Sequence, residues 1–195
     1  MNIEQLFERP ADPRRTPPEQ RVLIATLDCI AERGLAGTTA RAIAAKADVN
    51  PAAVNYYFRS KERLVEAALR YAWSHVSEDI GRIMTATKGK VQSRKVVAQY
   101  LIEGAVRYPN IIRAIVLDHP ALRAEAVAFF SSLLTPLSVG REKDEGAGLG
   151  TSLLLAFTLF LGIAPEAVEE LVGAHLSEPA AREKLAELVA PRFFG

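Results

Sequence analysis

Between Thr38 and Lys61 the chain reads TTARAIAAKADVNPAAVNYYFRSK, and no other stretch constrains its fold as tightly. Ile43 and Ala44 give a first short helix an apolar face. Asn50–Pro51 then starts a second one with a capping amide followed by a proline at the first helical position. Only a tight turn separates the two. Asp48 stands in that turn, and aspartate tolerates the left-handed backbone better than most residues. Ser60 has the chemistry to cap a third, longer helix beginning at Lys61. Two short helices closed around a turn and followed by a long one form a helix-turn-helix unit. The second helix presents small and polar side chains, Ala52, Ala53, Asn55 and Tyr56, which suit close approach to a polyanion in a major groove.

The rest of the composition neither drives nor forbids that use. Of 195 residues, 49% are hydrophobic, enough for one large domain or a small domain joined to a larger one. A net charge of +1 supplies no global field toward nucleic acid, so affinity must come from local cations. Arg9, Arg14, Arg15, Arg21, Arg33, Arg41, Arg59, Lys61 and Arg63 do crowd into the first third. The single cysteine, Cys29, has no internal disulfide partner and sits among Leu27, Ile30 and Ala31, as a core thiol would. His75, Asp118, His119 and His175 fall into no metal-ligand spacing, so neither a metal nor a cofactor is expected. The long apolar run from Leu149 to Ala164 is too short to span a membrane and reads as a buried interface helix. With no secretory pattern at the start, a cytoplasmic location is the expectation.

Periodicity predicts an all-α protein with no repeat and no alternating β pattern. Residues 1–15 read as a flexible arm, either a solvated tail or an arm that enters a DNA groove. Thr16 and Glu19 have capping-box spacing around Pro17. Leu23, Leu27, Ile30 and Ala31 mark the face of a first helix that Gly34 would end in a left-handed cap. Further helices are expected at Lys61 to about Ile83, Val91–Arg107, Pro109–Leu117, Pro120–Leu134, Leu149–Gly173 divided at Pro165, and Glu178–Leu188. Lys88-Gly89-Lys90 and the charged loop from Gly140 to Gly146 would separate them. The boundaries that follow are an arm at 1–15, a three-helix DNA-binding domain at 16–60 and a larger helical domain at 61–195.

In order and spacing, Gly34, Thr38-Thr39, Ile43-Ala44, Val49, Val54, Tyr56-Tyr57-Phe58 and Ser60-Lys61-Glu62 resemble the TetR family of bacterial transcriptional regulators. The resemblance covers about a quarter of the chain. It implies that Thr39 and Arg41 touch phosphate and base from the first short helix, that Pro51, Ala52, Ala53, Asn55 and Tyr56 form the recognition surface, and that Lys61 anchors a phosphate. A guanidinium can donate two parallel hydrogen bonds to guanine, which makes Arg41 the expected direct reader. Tyr57 and Phe58 are expected in the small domain's core. Asp48 replaces the glycine usual in the family's turn, and Asn55 replaces a tyrosine that commonly contacts phosphate.

For the back of the chain, the resemblance implies a ligand pocket lined from Trp73, Met84, Tyr100, Tyr108, Phe129 and Phe130, with a largely apolar small-molecule effector. It also implies a homodimer through the C-terminal helices. Leu153, Leu154, Phe157, Leu161, Leu171, Leu185, Leu188 and Val189 supply more apolar surface than a thin domain covers. The expected function is a ligand-responsive repressor that binds a double-stranded, pseudo-palindromic operator as a dimer and is released by its effector. One alternative keeps the DNA-binding front but gives the back a protein partner. Another, a small helical enzyme or carrier, lacks any nucleophile–base constellation.

Overall fold

The computed structural model describes residues 16–87, 90–134 and 145–194, and every element among them is helical. In chain order these are α1 (Pro18–Gly37), α2 (Ala40–Ala47), α3 (Pro51–Phe58), α4 (Lys61–Ala86), α5 (Lys90–Arg107), α6 (Pro109–Arg113), a π-helical turn (Ala114–Asp118), α7 (Pro120–Leu134), α8 (Glu145–Ile163), α9 (Pro165–Val172) and α10 (Pro179–Phe194). The arm at 1–15, Lys88-Gly89 and most of the charged loop lie outside the described residues. α8 starts at Glu145, earlier than the apolar run alone indicates, and α10 runs past Leu188 to Phe194 with Pro191 inside it.

α1 departs from its expected ends at both termini. Pro18, not Pro17, takes the first helical position, and no side-chain cap forms, so the Thr16–Glu19 box is not made. At the other end Gly34 does adopt positive φ, 69°, but its ψ of 174° makes a kink instead of a terminus. One more turn follows to Gly37. The kink's carbonyls are then met by nearby donors: Thr38 Oγ1 donates to Gly34 at 2.8 Å and Lys61 Nζ donates to Leu35 at 3.1 Å.

Among the described residues, three apolar clusters make up the interior. The front one holds Val22, Ala25 and Cys29 of α1, Ile43, Ala44 and Ala47 of α2, Val54 and Phe58 of α3, and Leu64 of α4. Cys29 is the buried thiol expected, and its pKa is pushed up, chiefly by burial. A middle cluster joins Ile30 of α1 to Val65, Leu69 and Trp73 of α4, Ala114 and Ile115 of the π-helical turn, and Leu122 of α7, with Leu27, Leu35, Ile111 and Phe129 at its edge. The back cluster is built mainly by α5, α8 and α10 with the end of α4. α1 therefore packs into two cores at once, using Val22, Ala25 and Cys29 for one and Ile30 for the other. That two-sided burial explains why its inward face is broader than the Leu23–Leu27–Ile30–Ala31 stripe.

Two polar groups inside the back of the molecule are held by hydrogen bonds, as most buried polar groups are. Arg182 of α10 donates through Nε and Nη2 to Glu103 of α5, at 2.5 and 3.3 Å. Its Nη1 donates to the Leu176 and Ser177 carbonyls at 2.6 and 3.0 Å. Tyr100 donates its hydroxyl to Asp79 at 2.8 Å, and burial followed by that bond pushes its pKa well up.

Candidate DNA interface

Each part of the interface is held by a local device. Thr39 caps α2, its side chain accepting from the Ala42 amide at 3.2 Å. α2 ends at Asp48, which lies in the left-handed region (φ 51°, ψ 54°) and donates its amide to Ala44. This is the conformation expected of a residue that takes a glycine's place in the turn. The Asn50 side chain accepts from the Ala52 amide at 2.8 Å and Pro51 opens α3. Ser60 caps α4 by accepting from the Arg63 amide at 3.2 Å. Behind these ends, Ile43, Ala44 and Ala47 of α2 and Val54 and Phe58 of α3 lock both short helices onto α1 and α4.

What remains outward is the set of residues anticipated for DNA. Pro51, Ala52, Asn55 and Tyr56 are exposed, Tyr56 by 81%, while Ala53 is half-buried. Thr39, Arg41 and Lys61 are exposed as well. Arg41 has no ion-pair partner among the described residues, whereas Lys61 is occupied by the Leu35 carbonyl. An open cleft of about 550 Å³ between α1 and α2 gathers Arg33, Arg41 and Lys46 with Thr39. Lys46 there pairs with Glu32. Tyr57 corrects its expected role. It is 37% exposed and edge-on to Tyr56, with ring centroids 5.5 Å apart, while Phe58 alone closes the core at 9%. Phe58 lies four residues after Val54 and shares its inward face, which the adjacent position cannot do.

Of the six residues expected around a ligand, the five whose side chains are described fall into separate groups. Trp73 and Phe129 stack with centroids 6.4 Å apart in the middle cluster, whereas Tyr100 and Met84 belong to the back cluster and the Tyr100 hydroxyl is committed to Asp79. Tyr108 is half-buried at the start of α6, and the Phe130 side chain lies outside the described residues. Residues 114–118 form a π-helical turn between the two groups, a feature invisible to apolar periodicity. The buried carboxylates Asp79 and Glu103 also escaped sequence reasoning. An acid in the Tyr100–Gly104 stretch, otherwise apolar, was the available signal for Glu103.

Two short capped helices backed by a third and a fourth, with their outer faces small, polar and cationic, define a DNA-binding protein of the helix-turn-helix class. Residues 22–68 match the model of the bacterial regulatory proteins of the tetR family. That match spans the helix-turn-helix front of the chain, which is similar there to DNA-binding transcriptional regulators of that family. The nucleoid occlusion factor SlmA of Shewanella sediminis is 28% identical over 149 residues, covering 72% of this chain and 75% of that protein. The HTH-type transcriptional repressor Rv3405c of Mycobacterium tuberculosis is 34% identical over 118 residues, 53% of this chain and 63% of its own length. The transcriptional regulator FadR of Bacillus subtilis, solved with stearoyl-CoA, superposes with a TM-score of 0.66 at 16% identity, covering 88% of this chain and 97% of FadR.

Proposed function

We propose that this chain is a dimeric, ligand-responsive repressor whose two α3 helices read successive major grooves of an inverted repeat. The carrying observation is the outward face of α2 and α3: Thr39, unpaired Arg41, Pro51, Ala52, Asn55 and the exposed Tyr56 on one surface, held there by capped helix ends. Arg41 reads a base edge, Tyr56 and Thr39 meet phosphates, and the small Ala52 and Ala53 allow close approach. Lys61 reaches a phosphate by leaving the Leu35 carbonyl.

Dimerisation is supported by α8, which is apolar around its whole circumference. Leu154 and Leu161 face the chain's own core, as do Leu185 and Val189 of α10, so these four are not interface residues. Leu153 and Phe160 point away, exposed by 47% and 45%, and Leu188 of α10 is exposed by 50%. A helix with a second apolar face calls for a second partner, and another copy's α8 and α10 complete a four-helix bundle. Two heads about 34–36 Å apart then match one helical turn of DNA. The effector is an apolar small molecule, and acyl thioesters are the first class to screen because a protein of this fold holds one.

The test is selection of bound sequences from random DNA at near-physiological salt, followed by anisotropy titration of the winner with the parent protein and Tyr56→Ala. An inverted repeat that the substitution weakens supports the reading; no enrichment, with binding that simply fades with salt, removes it. The likeness to SlmA, named for nucleoid occlusion, favours a second reading in which the same front serves a back domain that binds a protein partner. Under that reading the inverted repeat binds, but no small molecule releases it.

A further inference from the structure

Four consecutive residues of α6 divide their contacts between the two ends of the molecule. Asn110 Nδ2 donates to the Ala31 carbonyl of α1 at 2.8 Å. Ile111 packs against the middle cluster, which contains Ile30 of the same helix. Ile112 instead packs against the back cluster. Arg113 donates both Nε and Nη2 to the Ile163 carbonyl, the last residue of α8, at 3.2 and 2.7 Å. The contact with α8 is as close as side chains permit. A Cβ added to Gly162 would lie 2.5 Å from Ile112 Cδ1 and 2.9 Å from its Cβ and Cγ2, so only glycine admits the isoleucine. α6 itself is a single five-residue turn begun by Pro109, too short to bend between its two attachments.

We infer that Asn110 and Arg113 are positioning residues for DNA reading: through them α6 holds the reading head's α1 at a fixed setting relative to the C-terminal end of α8. The inference rests on the dimer proposed above, in which α8 lies at the interface. Because α8 would be fixed against its copy, whatever ties α1 to α8 sets the separation of the two heads. α4 provides the other link between front and back, running from Leu64 in the front cluster to Ile80 and Ile83, which share the back cluster with Leu154 and Leu161 of α8. The α6 route is shorter, since Asn110 and Arg113 are three residues apart. The hydrogen bond that Asn110 makes is to Ala31, which is not one of the proposed DNA contacts, so its removal should change the spacing of the heads without changing how either one reads a half-site.

The experiment measures anisotropy titrations of the full chain on a ladder of inverted repeats whose half-site separation runs two base pairs either side of the optimum, together with an isolated half-site. The parent protein should prefer one spacing by about tenfold or more. Asn110→Ala, which deletes one hydrogen bond, should flatten that preference to about threefold or less, with half-site binding within about twofold of the parent. Arg113→Lys, which keeps the charge but loses the two-pronged donation, should flatten it partly. Gly162→Ala should move the optimum, and Gly162→Ala with Ile112→Ala should move it back. A parallel loss on every rung, or an unchanged preference in a folded Asn110→Ala protein, overturns the positioning role; should that variant unfold, Arg113→Lys decides by the same criterion. If the parent protein shows no spacing preference while binding single half-sites, the dimeric reading itself fails, and this inference with it.

Discussion

At the scale of single residues, the proposed DNA contacts separate affinity from specificity. Arg41 is exposed and has no ion-pair partner among the described residues, so Arg41→Ala should relax preference at particular base pairs, by about 1–3 kcal/mol per lost bidentate contact. A panel of single-base operator variants shows it. Tyr56→Ala should instead weaken every sequence alike. Lys61→Ala should do the same and lower the salt slope by about one. Equal binding by these variants and the parent removes the assigned contacts. In the turn, Asp48 pays little for its left-handed backbone, and its side chain is fully exposed, 4.0 Å from Arg21. Asp48→Gly should therefore be near neutral in thermal denaturation, while Asp48→Val should cost about 1–2 kcal/mol. Asp48 was legible in the sequence because its turn chemistry is local. Tyr57 was not, because whether an aromatic of α3 lies in or out depends on how α3 rolls against α1 and α4, and neighbouring residues cannot encode that roll.

At the scale of elements, helix starts were readable where the capping group sits beside the helix it caps, as with Asn50 and Ser60. α1 shows the limit. Its kink at Gly34 is secured by Thr38 from the next turn and by Lys61, 26 residues downstream, so its true end is a tertiary property. The π-helical turn at 114–118 is another such case, since a widened turn keeps the residue types of an ordinary helix. The cap of α4 yields a prediction in pH. Glu62 has its carboxylate held below the usual range, first by its own backbone N–H and then by the Ser60 hydroxyl. A lowered folded-state pKa adds stability above the unfolded value, about 4.3, and loses it as pH falls through the folded one. The difference in stability between the parent and Glu62→Gln, followed by denaturant titration, should be constant near neutrality and vanish in that acidic window. Ser60→Ala should cost about 1 kcal/mol at neutral pH and narrow the same difference, because it removes one of the two donors. A difference independent of pH would show that the carboxylate is not bound at the cap.

The whole molecule turns on what covers the outer face of α8. Leu153 and Phe160 lie seven residues apart, two turns along the same side, while Leu154 and Leu161, about 100° further round, enter the core. Sequence periodicity registers such a helix only as uniformly apolar, which is why core and interface leucines could not be sorted before the fold was known. Among the described residues no single helix is long and apolar enough to cross a membrane. In the dimer proposed above, pairing with a second copy would cover the face and give two reading heads in one stroke. Phe160→Glu tests this cleanly, because the side chain is outside the protomer's own core and a carboxylate there would oppose pairing through this face without disturbing that core. Sedimentation should show the parent as a dimer and the variant as a monomer of 21.3 kDa at the same micromolar concentration, with helical circular dichroism retained. Operator binding should then fall on the order of 100-fold as the linked second half-site is lost, while binding to an isolated half-site stays as it was. A variant that remains dimeric and keeps its operator affinity would move the interface off α8, and the separation of the heads would have to be set from another surface.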